Sequence, residues 1–152
     1  MMKLPAKEVT ALTADSNHAT MNLIDQDTNT FYAPSGGTSS ENEWVQIELL
    51  NVGKVHEVRI TNPVNCCDNK LTNIEVRVGD NEVTNQQINA SLNNKVCGTY
   101  RGAQKNGDVI QIQCKPPIEG KYATIQTLGG TNKAISMAEA ELFGTFNGKP
   151  KL

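Results

Sequence analysis

Two carboxylates and a carboxamide fall on alternate positions of one short segment, Asp25-Gln-Asp27-Thr-Asn29-Thr, which places a dense cluster of hard oxygen donors in a single loop. Asp25, Asp27 and Asn29 match the first, third and fifth ligand positions of an EF-hand calcium loop, but the continuation does not. The sixth position is Thr30 where the sharp turn needs glycine, and the twelfth is Gly36 where a bidentate Glu is required. Two readings stay open. The segment is either an ordinary polar turn or part of a calcium site closed by backbone carbonyls.

The adjacent pair Cys66-Cys67 is the more specific signal. Neighbouring Cα atoms lie about 3.8 Å apart across a trans peptide, whereas a disulfide spans roughly 4.4–6.8 Å. A bond between neighbours therefore strains the peptide joining them, and such strain persists where the surroundings hold it, often beside a ligand. The oxidised ring would offer a flat apolar platform to one face of a sugar; the alternatives are two free thiols or pairing elsewhere. Cys97 and Cys114 flank the polar loop GTYRGAQKNGD between two apolar-patterned runs. Pairing them would staple neighbouring strands and contribute about 3 kcal/mol on a chain-entropy account, which suits an oxidising compartment. The competing reading is four buried thiols in a reducing one. Zinc is disfavoured, because there is no C-x-x-C spacing and His18 and His56 lie far from the cysteines in sequence.

Catalytic signatures are missing. The sequence has no G-x-S-x-G, no H-E-x-x-H, no phosphate-cradling glycine loop and no Cys beside a plausible His base, so an enzyme is not expected. A net charge of −2 spread over mixed acidic and basic residues leaves no basic stripe for nucleic acid. No apolar run approaches the length of a membrane span, and MMKLPAKEVT lacks the apolar centre of a secretory leader. The expectation is a chain that does not insert into membranes, secreted or extracellular, with any leader lying outside this sequence.

These residues must be positioned by strands. In NIEVRVGD, Ile74, Val76 and Val78 alternate with Glu75 and Arg77, and DVIQIQC repeats the pattern with Ile110, Ile112 and Cys114 on one side. WVQIELL (44–50), VHEVRITN (55–62), KYATIQTL (121–128) and SMAEAELFGTF (136–146) are further strand candidates, bounded by Gly, Asn, Asp or Pro. Nothing reads as a long amphipathic helix; in KEVTALTADSNHATMNLID, Val9, Leu12, Met21 and Leu23 are expected to cover a sheet edge in irregular form. Short, regularly spaced strands in 152 residues argue for one all-β domain with its core over about residues 8–146, a jelly-roll β-sandwich. Trp44 at a strand start is expected in the core. His18, His56, Arg59, Arg77 and Arg101 are expected to be solvated, and Asn89-Ala-Ser is an acceptor pattern for N-glycosylation.

The run ITNPVNCCDNKLTNIEVRVGD (60–80) resembles the sugar-site segment of the F-type lectins, the fucolectin family with a discoidin-like jelly roll. NLIDQDTNTFYAPS, WVQIELL, the Cys97/Cys114 pair, KYATIQ and MAEAELFG fall in that family's order. The resemblance implies a calcium site formed by Asn22, Asp25, Asp27 and Ser35 with the Ala138 carbonyl and the Glu139 carboxylate. It also implies a Cys66–Cys67 disulfide packed against the sugar. Family members grip fucose with a His and two basic residues. Here Pro63 and Asn65 replace the Arg and Asp of the motif, no His lies between Tyr32 and Trp44, and Lys70 alone remains of the basic set. The implied function is a calcium-stabilised, carbohydrate-binding domain whose fucose-type specificity is altered or lost, using Lys70, Asn65, Asn62, Tyr32 and the Cys66–Cys67 platform. Its partners would be glycans, and self-association into a homo-oligomer would raise avidity. The alternative is a non-sugar-binding extracellular recognition or adhesion domain that contacts proteins.

Overall fold

The computed structural model describes residues 1–34, 43–64, 73–83, 93–101, 105–128 and 135–146. It contains strands β1 (Met2–Lys3), β2 (Ala6–Ala11), β3 (Trp44–Thr61), β4 (Ile74–Gly79), β5 (Lys95–Tyr100), β6 (Val109–Thr127) and β7 (Glu139–Phe146), with a 3₁₀ turn over Thr20–Ile24. Alternation explains the strands most directly. Ile74, Val76 and Val78 are buried while Glu75 and Arg77 pair with each other on the outer face at 2.6 Å. Ile110, Ile112 and Cys114 are buried between outward-facing Gln111 and Gln113.

Every pairing is antiparallel, and two long strands build both layers. The first part of β3 (44–48) lies between β2 and the last part of β6 (122–126), which continues through β4 to β5. Past an irregularity between Glu48 and Gly53, β3 lies between β7 and the first part of β6, with β1 on the outer edge of β7. The strands thus turn from one sheet into the other, and the side chains between the layers form the core, among them Ile47, Val58, Ile60, Ile125 and Leu142. Trp44 is buried with them, as its position at a strand start implies. The all-β sandwich inferred from strand spacing is the observed fold.

The Cys97–Cys114 disulfide is formed. It joins β5, at the edge of one layer, to β6 where β6 belongs to the other, and so closes one side of the sandwich. With its ends 17 positions apart in sequence, its removal in Cys97→Ser/Cys114→Ser is expected to cost about 3 kcal/mol. In a domain of this size that corresponds to a melting temperature lower by about 6–12 °C in a circular-dichroism melt.

Three details differ from the sequence reading. The candidate strands 44–50 and 55–62 are one strand, as are those starting at Asp108 and Lys121. The reason is that Gly53 and Gly120 pair with each other instead of ending their strands. Residues 6–11, expected to be irregular, form β2 along β3 with Val9 buried; Leu23 is also buried, but Met21 is 48% exposed. Among the described residues no helix is long and apolar enough to cross a membrane.

Candidate glycan rim and metal centre

Connections between strands meet at one end of the sandwich and are tied together by backbone hydrogen bonds. Tyr32 and Met137 exchange N–H···O bonds at 2.8 and 3.2 Å, Ala138 N–H donates to Thr61 O at 2.8 Å, and Leu128 N–H donates to Asn73 O at 2.7 Å. Asn62 N–H donates to Asp108 O, and Gly107 N–H is shared between the carbonyls of Asn62 and Pro63. Gly107 takes φ +80°, which favours glycine in this turn. Val64, beside Gly107, is 42% exposed on this rim.

Two residues expected to touch ligand have another role. Tyr32 is fully buried and its hydroxyl donates to Thr13 O at 2.6 Å. Burial, with the nearby Glu43 carboxylate, pushes the phenol well above its ordinary range, so it stays a neutral donor. Asn62 is likewise fully buried, and its Nδ2 donates to Lys105 O at 2.9 Å. A side chain with no exposed surface does not reach a sugar; these two position the rim. Glu43, which the sequence reading passed over, is part of the same framework. Its carboxylate accepts from Thr13 Oγ1 at 3.2 Å, its N–H donates to Thr127 Oγ1 at 3.1 Å, and it is buried. No spacing motif marks such a residue, because its partners are 30 and 84 positions away.

Behind the rim the N-terminal loop meets the start of β7. Asp25 Oδ1 accepts from Asp27 N–H and Asp27 Oδ1 from Asn29 N–H, both at 2.9 Å, and Thr30 Oγ1 donates to Asp25 Oδ2. Gln26, between the two aspartates, adopts φ +62°, which folds the loop tightly. Asn22 is held through Nδ2 to Phe31 O at 3.0 Å. Glu139, only 5% exposed, faces Asp25, and its Oε1 is buried without a hydrogen-bond partner. Burial raises the Glu139 carboxyl to about 8, helped by its hydrogen bond to Asp25 and by the Asp25 and Glu141 charges. Burial acts to raise Asp25 as well, but hydrogen bonds from Thr30, Asp27 N–H and Glu139 outweigh it and the net shift is downward.

A buried carboxylate oxygen lacking a donor, opposite a second carboxylate, is the environment a hard cation relieves. Among the described residues no three Asp, Glu, His or Cys side chains converge. Asp27 Oδ1 is already engaged by Asn29 N–H and so shapes the loop that presents these oxygens. Ala138 is buried next to Glu139 and fixed by its N–H. Ser35, Asn65, Cys66, Cys67 and Lys70 lie outside the described residues.

Residues 8–140 match the F5/8 type C domain family, so the chain belongs to that family. Within it, the sequence is similar to fucolectins. It is 26% identical over 130 residues to Fucolectin of Anguilla anguilla, covering 84% of this chain and 77% of that protein. It is 31% identical to Fucolectin-5 of Anguilla japonica over 58% of this chain and 43% of that one. Among solved structures, the fucolectin from striped bass (Morone saxatilis) serum superposes with a TM-score of 0.72 at 26% identity, over 90% of this chain and 46% of the other. The family 32 carbohydrate-binding module of C. perfringens NanJ, solved with galactose, shares the fold with a TM-score of 0.73 at 18% identity, covering 93% and 97%. The chain therefore spans most of one fucolectin and less than half of the others named.

Proposed function

We propose that this domain is an extracellular lectin that binds glycans at the rim bounded by Val64, Lys105 and Asp108, braced by a calcium ion between the N-terminal loop and β7. The observation that carries the brace is the unpartnered, buried Glu139 Oε1 facing Asp25. Asn22, Asp25, Asp27, Glu139 and the Ala138 carbonyl would hold the ion, with Ser35 completing the set. Bound calcium would neutralise the two facing carboxylates and tie residues distant in sequence into one rim support.

Similarity to fucolectins supports the glycan reading, and the fucose-type grip is altered. Pro63 has no N–H or charged donor to offer a hydroxyl, and its carbonyl accepts from Gly107 N–H. Lys70, beside a Cys66–Cys67 platform and Asn65, would carry the charged hydrogen bond. Losing such a bond costs on the order of 1.5–3 kcal/mol, so Lys70→Ala is expected to weaken saccharide binding about 10- to 150-fold. A glycan array with and without calcium, followed by titration of the strongest hit against this variant, checks it. Silence across the array at high protein concentration would replace the lectin reading with a protein-recognition domain.

A further inference from the structure

At the end of the sandwich opposite the rim, β3, β4, β5 and β6 enclose an open cleft of about 580 Å³. That volume is within the usual range of small-molecule and saccharide sites. Its back wall is held by side-chain hydrogen bonds. The Asn94 side chain is buried; its Oδ1 accepts from Asn81 N–H and Nδ2–H, both at 3.1 Å, and its Nδ2 donates to Asn81 O at 2.8 Å. Arg77 fixes the Asn94 carbonyl at 2.9 Å. Gly79 lies beneath this carboxamide, and Gly120 lies against the Gly79 backbone, so no side chain fills the floor.

The outer wall comes from an excursion in β6. Val55 pairs with Ile118 and Glu57 with Gln113, so residues 114–117 face His56 alone. This carries Lys115, Pro116 and Pro117 out of the ladder and into the cleft lining. Lys54 from β3 and Lys95 from β5 join Lys115 there. Among the described residues the ion-paired lysines are Lys3, Lys7 and Lys121, and none of these three is among them. Asp80 and Glu119 also line the cleft, leaving it one positive charge in excess on a chain whose net charge is −2. Proline and Val96 surfaces beside the ammonium groups offer apolar contact to a ring, and Asn93 also lines the cleft.

We propose that this cleft is a second saccharide site, separate from the rim, that takes an acidic glycan chain through Lys54, Lys95 and Lys115. The test is titration of the whole chain with a fluorescent heparin octasaccharide, a hyaluronan octasaccharide and a neutral dextran fragment at about 50 mM and about 500 mM salt. Saturable heparin binding at low salt, lost at high salt, is expected. Binding of heparin alone assigns sulfate as the recognised group, and equal binding of hyaluronan assigns the carboxylate. Lys54→Gln/Lys95→Gln/Lys115→Gln is expected to weaken binding about tenfold, the sum of three solvent-exposed charge contacts, while leaving the melting temperature unchanged. Lys3→Gln/Lys7→Gln is expected to leave affinity unchanged. Any one of three outcomes overturns the proposal: no acidic saccharide binds at low salt, the triple variant binds as tightly as the parent, or phosphatidylserine vesicles bind as well as heparin.

Discussion

At pH 8, adding calcium to about 100 times its dissociation constant is expected to raise the melting temperature by about 5–10 °C, from a stabilisation of about 2.7 kcal/mol. Glu139→Gln is expected to erase the rise. The physical basis is the buried carboxyl of Glu139, whose folded-state value of about 8 stands above its ordinary 4.5. Metal-free, the folded domain holds this proton more tightly than the unfolded chain does. The group's contribution is fully present below about 4.5 and is lost as pH rises toward 8. Metal-free stability therefore falls across that window, and calcium, which competes with the proton, acts more strongly at pH 8 than at pH 5. Because Gln keeps the shape without the charge, the metal-free variant is expected to melt at or above the parent at pH 8. Melts at both pH values, with calcium and with chelator, check all of this. A full calcium response in Glu139→Gln would remove the brace between loop and strand.

The second large effect is steric. A Cβ on Gly144 would stand 1.9 Å from Lys54 O and 2.9 Å from Lys54 C, backbone atoms of β3 that no rotamer change can clear. Gly144→Ala must therefore push β7 off β3, and a loss of at least about 4 kcal/mol is expected, near the upper end for single substitutions. That corresponds to about 8–16 °C in the melt. Gly53→Ala is the internal comparison. Its Cβ would meet Leu4 Cδ1 at 3.1 Å, the far end of a flexible side chain, and a cost below about 1.5 kcal/mol is expected. Equal losses in the two variants would show that β7 and β3 separate more easily than this geometry allows.

How much of this was legible in the sequence depended on how each residue acts. Strict alternation exposed β4 and the start of β6, because one face of each is buried and the other is not. β2 was missed for the opposite reason: among Ala6–Ala11 only Val9 is buried, so an edge strand leaves almost no periodic trace. Gly53 and Gly120 read as turn punctuation, yet they serve close backbone approach within continuous strands. Pro116 and Pro117 argue against a strand wherever ladder hydrogen bonds are required, but here they sit in the unpaired excursion opposite His56. In the site, Asp25 and Asp27 were visible as spaced carboxylates, and Glu139 came only from the family resemblance. The burial that makes Glu139 distinctive arises from packing between a loop and a strand over 100 positions apart. Tyr32 and Asn62 were expected to touch ligand, and their type alone could not show that their polar groups are turned inward.

Because β3 and β6 each run unbroken from one layer into the other, the two leaves are not separable modules. Prising them apart would have to straighten both strands where Gly53 and Gly120 pair, because the covalent chain of each continues from one leaf into the other. A load applied to one leaf would therefore pass along covalent backbone into the other and not through side-chain contacts between sheets alone.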